Sequence, residues 1–349
     1  MDKVPTRVDG RFRLGDVLGS GLYAVVYRAR NIIKDNAVTI KLEPINHSSS
    51  VQREYRILKN LEGGIGIPRA LWFGRESAYH ALVLDLLGPS LHHIFLAHNR
   101  KFSLDTVVNL GDQLLSRLEY IHSHNYIHGD IKPQNVVVGL GDLKHTAFLI
   151  DFGTTKEFWN TSTGVHIPFC QGQCLTSTPA FASINDHLGL ELGRRDDLES
   201  LTYMLIYCFQ GSLPWLTSDQ EKLSSSSILE RKVNTTIEVL CQGIPVQFTT
   251  ILIYTRALAF SEDPDYNHIR SLLRVLHSTS PAPASTELDF GKPDVPTTHP
   301  LPCYDEPWEI KAVPSSPCPP LRRSSRVLRP HNHSSTLRAT ASTPRRKKA

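Results

Sequence analysis

Four short strings of the chain carry residue types that suit phosphoryl transfer from a nucleotide, and they follow one another in a fixed order. They are GSGLYAVVY from Gly19, VTIK ending at Lys41, HGDIKPQN ending at Asn135 and LIDFG ending at Gly153. Together they supply a glycine-containing loop for phosphates, a lysine that pairs with phosphates, a catalytic loop and a metal-binding aspartate. The order of the four strings is more specific than any one of them.

The first string is the candidate phosphate loop. Gly19, Ser20 and Gly21 fall between two predicted strands, where glycine lets the backbone approach phosphate oxygens closely. The alternative is a plain hairpin turn. Ala24 stands where a third glycine is usual, and its methyl group would hinder the loop if φ had to be positive. Val26 is expected over the purine ring of ATP.

Lys41 is the candidate phosphate-pairing lysine, because it ends an apolar strand segment, VTI. An ammonium that points inward from a strand needs an anionic partner, since an unpaired buried charge is expensive. Glu54, on the next predicted helix, is the expected partner, and this pair would hold the lysine at the α and β phosphates. The alternative is a surface lysine with a solvated glutamate.

The third and fourth strings hold the candidate catalytic residues. Asp130 would accept or orient the proton of the attacking hydroxyl, and Lys132 would neutralise charge on the transferred phosphoryl group. Asn135 and Asp151 would bind Mg²⁺ through hard oxygen atoms. The alternative for HGDIKPQN is a polar loop, but the LIDFG string that follows it argues against that interpretation.

The elements that position these residues are predicted from hydrophobic periodicity. An antiparallel lobe is predicted from strands at 12–18, 23–30, 37–43 and 79–86, with one helix at 51–61. Beyond the GPSL turn at 88–91 the pattern is helical, with Ser103 as an N-cap and further helices at 196–209, 246–259 and 266–277. Residues 222–227 are predicted to form a loop. The fold class is therefore α+β, with a small β lobe and a larger, mostly helical lobe.

Composition and charge divide the chain further. The net charge is +4 over 349 residues, yet the stretch from Leu321 to Ala349 holds nine Arg or Lys and no acidic residue. Residues 1–320 therefore carry an excess of five acidic residues. No stretch of 18 apolar residues suggests a membrane span, and the polar N-terminus indicates a cytoplasmic or nuclear protein. The six cysteines form no CxxC pair and are expected to be reduced thiols.

The predicted organisation has three parts. Residues 1–11 form an N-terminal extension, 12–277 form one catalytic domain with lobes at about 12–86 and 89–277, and 278–349 form a tail. The tail is rich in Pro, Ser and Thr and too poor in apolar residues to offset the entropy of ordering, so disorder is expected. Its basic segments, 321–329 and 344–348, are candidates for nuclear import or for weak contact with nucleic acid or anionic lipid. The alternative is a solvated tail.

These motifs resemble those of eukaryotic protein kinases, and more closely those of the casein kinase 1 family. The closer resemblance rests on LDLLGPSLHHIF at 84–95, ASIN at 182–185, HLGLELGRRDDLESLTYMLIY at 187–207, GSLPW at 211–215 and PDYNHIRSLL at 264–273. It covers about residues 10–277. The resemblance implies a bilobal protein-kinase fold and a monomeric Ser/Thr kinase that uses ATP and Mg²⁺ to phosphorylate protein substrates.

The resemblance also assigns roles to single residues. Leu84 would be the gatekeeper, and the hinge from Asp85 to Leu87 would hydrogen-bond adenine. Asp197 would support the backbone of the catalytic loop. Thr178 would belong to the substrate-docking loop near Asp130.

The chain departs from the family pattern at several positions. Gly129 replaces the arginine of HRD, so phosphorylation of the activation loop is not the expected switch. Pro179 and Ala180 replace an Ala-Arg pair whose arginine helps the family to bind a phosphorylated or acidic substrate residue. A weakened preference for pre-phosphorylated substrates is therefore expected. Further replacements are Thr39 for alanine in VAIK and Ser177 and Thr202 for glycines.

Two functions remain open from the sequence. The first is an active kinase, because the charged and amide residues of the catalytic set are all present. The second is a pseudokinase that serves as a binding or scaffold module, which is suggested by Ala24, Gly129, Ser177 and Thr202 together.

Overall fold

A computed structural model of the chain describes residues 4–21, 24–45, 50–216, 223–278 and 288–291. The N-terminal lobe is an antiparallel sheet with one helix packed against it. Its elements are β1 (Arg7–Val8), β2 (Phe12–Ser20), β3 (Val25–Asn31), β4 (Asn36–Pro44), α1 (Ser50–Asn60), β5 (Ala70–Glu76) and β6 (Tyr79–Asp85). The strand order is β1-β2-β3-β4-β6-β5.

β4 lies inside this sheet and carries the candidate phosphate-pairing lysine. Lys41 stands opposite Val26 on β3 and Leu82 on β6. One face of β4 buries Val38, Ile40 and Leu42 in a small apolar core. Because side chains alternate along a strand, Lys41 points to the other face, which is the face that α1 covers.

The C-terminal lobe is built mainly of helices around a large apolar core. The helices in the described residues are α2 (Leu91–Ala97), α3 (Leu104–Ser123), α4 (Ile184–His187), α5 (Arg194–Gln210), α6 (Ser225–Asn234), α7 (Ile237–Leu240), α8 (Val246–Ala257) and α9 (Tyr266–Ser278). Helix α3 packs against both α5 and α9. Ser103 caps α3 by accepting a hydrogen bond from the backbone nitrogen of Thr106, at 3.1 Å.

Short strands carry the chain through the centre of the molecule. They are β7 (Tyr126–Ile127), β8 (Val136–Val138), β9 (Ala147–Leu149), β10 (Lys156–Glu157), β11 (Trp159–Asn160) and β12 (Val165–His166). β8 and β9 form an antiparallel pair in which Val136 lies opposite Leu149. The segments that precede β8 and follow β9 therefore leave this pair at the same end.

The predicted α+β architecture is confirmed, with an antiparallel sheet in one lobe and helices in the other. The helices predicted at 51–61, 196–209, 246–259 and 266–277 are all present within a few residues of their predicted bounds. The predicted loop at 222–227 is wrong from Ser225 onward, because α6 begins there with Ser224 as its N-cap. Residue 222 itself lies outside the described residues.

Both predicted ends of the domain contain short packed segments. Residues 7–8, in the predicted N-terminal extension, form the edge strand β1. In the predicted tail, residues 288–291 lie against the C-terminal lobe, where Leu288 is buried and Phe290 stands 5.1 Å from the ring of Phe102. The basic segments at 321–329 and 344–348 lie outside the described residues. Within the part of the chain that is described, no helix is both long and apolar enough to cross a membrane.

Candidate active site

Lys41 is held between two carboxylates. Its Nζ donates to Oε2 of Glu54 at 2.7 Å and to Oδ1 of Asp151 at 2.8 Å, and its side chain is 16% exposed. Burial opposes the charge of this ammonium, but Asp151 and Glu54 outweigh that effect and raise the pKa of Lys41. The lysine therefore stays charged, as pairing with phosphate requires.

Helix α1 contacts the segment that carries Asp151 at two further points. Oε1 of Glu54 accepts a hydrogen bond from the backbone nitrogen of Phe152, at 3.3 Å, and the Arg53 guanidinium donates to the carbonyl of Gly153. Asp151 has a φ of +65°, a left-handed conformation that is uncommon for a residue with a side chain. The Lys41 ammonium holds the pKa of the Asp151 carboxyl well below its usual range.

The catalytic-loop string places two polar side chains against one carboxylate. Asp130 accepts from Lys132 Nζ at 2.6 Å and from Asn135 Nδ2 at 3.0 Å. Its other oxygen accepts from the backbone nitrogen of Thr178 at 2.9 Å, and Lys132 also donates to Oγ1 of Thr178 at 2.8 Å. Thr178 therefore lies next to Asp130, as predicted, and the candidate docking loop, Thr178–Ala182, contacts the catalytic-loop string directly.

Asp197 on α5 binds the backbone of the catalytic loop. The carboxylate of Asp197 accepts from the backbone nitrogens of His128 at 2.7 Å and Gly129 at 2.8 Å, and from His122 Nε2 at 2.9 Å. Burial alone would raise the pKa of Asp197, but these hydrogen bonds and the neighbouring imidazoles lower it. Gly129 has a φ of +82°, so the residue that replaces the arginine of HRD adopts a conformation that favours glycine.

Asn135 and Asp151, the candidate metal ligands, lie at the same end of the β8–β9 pair. Asn135 directly precedes β8, and Asp151 follows β9 after one intervening residue, Ile150, whose backbone nitrogen donates to the carbonyl of Asn135 at 2.9 Å. Both amide hydrogens of Asn135 are directed at Asp130, through its carbonyl at 2.9 Å and its carboxylate at 3.0 Å. The side-chain oxygen of Asn135 therefore faces away from Asp130 and remains as a hard ligand. In the described residues, no cluster of three or more His, Cys, Asp or Glu could hold a metal.

The candidate phosphate loop joins β2 and β3. Gly19 pairs with Val26, and Ser20 pairs with Val25 across the two strands, while the backbone nitrogen of Gly21 donates to the carbonyl of Ala24 at 2.8 Å. Residues 22–23 lie outside the described part. Ala24 is buried in the main apolar core. The hindrance considered for an alanine at this position stays a prediction.

The candidate adenine-contacting residues lie at the end of β6 and just beyond it. Leu84 stands opposite Thr39 on β4 and is half-buried against the main core. The Asp85 carboxylate is bound by the Arg69 guanidinium through two hydrogen bonds, at 2.8 and 2.9 Å. Asp85 can therefore meet adenine through its backbone, while Leu87 is half-buried in the following segment.

A pocket opens beside the catalytic loop, and its walls are mostly apolar. It is lined by His92, Pro133, Gln134, Thr178, Ala180, Phe181, Tyr207 and Leu216. Burial lowers the pKa of His92 to about 4, assisted by His93 and Arg100, so its imidazole is neutral at pH 7. These lining residues include no lysine, arginine, aspartate or glutamate.

The two hydroxyl residues that replace glycines are both accommodated. Ser177 donates to the Asp186 carboxylate, and the buried Thr202 donates to the carbonyl of Leu198 at 2.8 Å within α5. Each hydroxyl therefore has a partner, so neither replacement leaves a buried polar group unsatisfied.

The sequence gives no signal for two contributors to this site, Arg53 and His122, or for Lys232 beside it. Arg53 and His122 occur in helices whose apolar periodicity indicates only a packing face, and nothing in that pattern identifies their partners. Lys232 lies in the charged string LERKVN, which has no apolar pattern that would place the lysine inside. In the structure this lysine is fully buried next to the docking loop.

Comparison with known families gives an assignment that agrees with this geometry. A family model described as a protein kinase domain matches residues 12–263, which is well over half of the chain. The match includes all four strings and every candidate site residue.

Proposed function

We propose that this chain, which belongs to the protein kinase family, transfers the γ-phosphoryl group of ATP to Ser and Thr hydroxyls of proteins. The observation that carries the proposal is the pair of ion pairs that Lys41 forms with Glu54 and with Asp151. In a protein kinase the lysine–glutamate pair and the metal-binding aspartate must both be in place for transfer. The Lys41–Glu54 contact and the position of Asp151 beside Lys41 support the proposal.

The nucleotide side of the site fits ATP with magnesium. Asn135 and Asp151 offer one amide oxygen and one carboxylate, which is the small donor set that Mg²⁺ takes when phosphates supply further ligands. When bound, the metal would offset negative charge on the β and γ phosphates. The charged Lys41 would pair with the α and β phosphates, and the β2–β3 loop would cover them.

The acceptor side is organised by Asp130 and Lys132. A substrate hydroxyl that approaches Asp130 would give its proton to that carboxylate as its oxygen attacks the γ phosphorus, and the bond to the bridging oxygen of ADP would break. Lys132, which lies between Asp130 and Thr178, would balance charge on the transferred group. Thr178 would align the substrate chain next to this hydroxyl.

We further propose that the enzyme is of casein kinase 1 type, and this rests on the strings quoted above. The expected weakening of selection for phosphorylated substrates rests on Pro179 and Ala180, which stand where the family has an Ala-Arg pair. Neither residue supplies a cation for a substrate phosphate.

The second candidate function, a pseudokinase scaffold, is favoured by the four replaced residues. The structure supplies an ordinary environment for three of them: Gly129 uses its conformational freedom, and the hydroxyls of Ser177 and Thr202 are hydrogen-bonded. These environments support the active enzyme as the first candidate.

The test compares phosphate incorporation into a degenerate Ser/Thr/Tyr peptide library by wild type, by Asp130→Asn and by the matched control Asp142→Asn. Asp142 is an exposed aspartate in a nearby turn. Wild type and the control should give phosphoserine and phosphothreonine, and Asp130→Asn should be slower by at least about a hundredfold. Incorporation into tyrosine alone would overturn the Ser/Thr assignment, and no incorporation by wild type would favour the scaffold.

A further inference from the structure

Lys232 on α6 is a buried cation that the phosphoryl-transfer site does not use. Its side chain is completely buried, and in the described residues it makes no ion pair with a carboxylate. Taking an ammonium out of water without a counter-ion is costly, so specific contacts must stabilise it. Those contacts identify what the lysine does.

The Lys232 ammonium binds the backbone of the docking loop. Its Nζ donates to the carbonyl of Ala182 at 2.6 Å and to the carbonyl of Pro179 at 3.0 Å. Nearby, Nε1 of Trp215 donates to the carbonyl of Ala180 at 2.8 Å. Side chains from outside the loop therefore hold three of its carbonyls, and two of the three are held by the same lysine.

Aromatic rings complete the site around the ammonium. The Lys232 Nζ lies 4.9 Å from the ring centre of Tyr203 and 5.0 Å from that of Trp215. Both distances are within the range of cation–π attraction, which is strongest when the cation is desolvated. Trp215 thus contacts the lysine through its ring face and the loop through its N–H group.

The loop that Lys232 holds is the one that reaches the catalytic carboxylate. Thr178 directly precedes Pro179, and it contacts both Asp130 and Lys132. A shift of the Pro179 and Ala182 carbonyls would therefore move Thr178 relative to Asp130. Misplacement of a positioning group by about 1 Å can cost a hundredfold in rate.

We propose that Lys232 is a positioning residue for the docking loop, Thr178–Ala182, and thereby sets how efficiently the kinase uses protein substrates. This inference rests on the proposed function. The hydrogen bonds and ring contacts described for Lys232 involve none of the candidate nucleotide-binding residues Lys41, Glu54 and Asp151. Its loss should therefore weaken the use of protein substrate and leave the use of ATP unchanged.

The charge state of Lys232 gives the proposal a pH dependence. Burial lowers the pKa of Lys232 to about 7, with Glu199 opposing and Arg256 assisting that shift. His187 and Asp186 on α4 and Tyr203 on α5 also face the ammonium, at 3.3 Å in the case of His187 Nε2. Burial and the lysine lower the pKa of His187 to about 4, so His187 does not titrate in the same range.

The pH effect has a defined sign. As the pH rises through about 7, Lys232 loses one of its three N–H donors and its cation–π attraction. The kcat/KM for a protein substrate should therefore fall above pH 7 in the wild type. Lys232→Arg keeps its charge throughout this range and should lack that component of the pH profile.

The experiment uses the full chain with Lys232→Met, Lys232→Arg and the matched control Arg231→Met. Arg231 is the preceding, half-buried cation on the same helix. For the best peptide from the degenerate library, Lys232→Met should lower kcat/KM by about tenfold to a hundredfold, while the control stays within about twofold. The KM for ATP and the slow hydrolysis of ATP in the absence of peptide should stay within about twofold for all three.

A second readout does not depend on activity. Hydrogen exchange of the backbone amides at 177–187 should become faster in Lys232→Met and remain near wild type in Lys232→Arg. Unchanged exchange and unchanged kcat/KM in Lys232→Met would overturn the proposal, as would an equal loss of ATP hydrolysis. If Lys232→Met does not fold, the pH profile of Lys232→Arg tests the proposal instead. A fall of kcat/KM above pH 7 that persists in Lys232→Arg would overturn it. A wild type that transfers no phosphate but shows the exchange difference would contradict the proposed function and leave the positioning role intact.

Discussion

Replacing Asp197 by asparagine should loosen the catalytic loop in a way whose size can be worked out from its contacts. One carboxylate oxygen accepts from the backbone nitrogen of Gly129, and the other accepts from the backbone nitrogen of His128 and from His122. Asparagine supplies one acceptor oxygen and an NH2 group in the same volume. At least one buried N–H donor must then face another donor.

The cost has two parts. Hydrogen bonds to a charged group contribute about 1.5–3 kcal/mol, against about 0.5–1.5 kcal/mol for neutral ones, so the bonds that survive each lose about 1 kcal/mol. The donor that loses its partner adds a penalty of about 1–3 kcal/mol. We therefore expect Asp197→Asn to lower the free energy of unfolding by about 3–5 kcal/mol, which corresponds to a decrease in Tm of roughly 10 °C for a domain of this size.

This loss should depend on pH with a known sign. The pKa of Asp197 is lowered in the folded protein, so its carboxylate contributes stability above the unfolded pKa of about 3.9, and that stability is lost as the pH falls through the folded value. The difference in Tm between wild type and variant should thus be full at pH 7 and should narrow as the pH approaches 3. Calorimetry at several pH values measures it, with Asp142→Asn as the exposed control. A decrease below about 2 °C at pH 7, or one that does not narrow in acid, would refute this reasoning.

Three further predictions concern the active site and the substrate. Glu54→Gln should lower kcat/KM for ATP by about tenfold or more in steady-state kinetics, because Lys41 loses the carboxylate that directs it toward the phosphates; an unchanged value would contradict the role of the pair. Gly129→Ala should lower the free energy of unfolding by about 1 kcal/mol in denaturant unfolding, since alanine is strained at a φ of +82°. The control Gly10→Ala should lower the free energy of unfolding by a similar amount without lowering kcat. On a peptide array, phosphoserine three residues before the target should give little advantage, and strong selection for it would contradict the weakened preference expected from Pro179 and Ala180 in place of an Ala-Arg pair.

Periodicity was enough to predict the elements that frame the site, and its failures have physical causes. Four of the sheet strands (β2, β3, β4 and β6) and α3 were predicted because each alternates or repeats its apolar residues against one core face. β5 was missed because ALWFGRE interrupts its pattern with Gly74 and lies at the sheet edge, next to β6 alone. α6 was missed because its first turn is a serine run, which propensity assigns to loops, although Ser224 acts as an N-cap.

Some contacts of the candidate site could be predicted from residues close in sequence, whereas others depend on residues far apart in the chain. The Lys41–Glu54 contact could be predicted because an inward lysine on an apolar strand must find an anion nearby. The burial of Lys232 could not, since its partners Pro179 and Ala182 lie about fifty residues earlier in the chain. Only the packing of α6 against the docking loop shows that this lysine is inside.

The measurement that tests the account most directly is autophosphorylation of the full chain with ATP labelled in the γ phosphate, in the presence of Mg²⁺. Wild type is compared with Asp151→Asn, which removes the carboxylate that contacts Lys41 and that belongs to the proposed metal donor set. We expect clear incorporation by wild type, confined to Ser and Thr, and a decrease of at least about a hundredfold in the variant. Equal incorporation by both proteins, or none by either, would contradict phosphoryl transfer at this site.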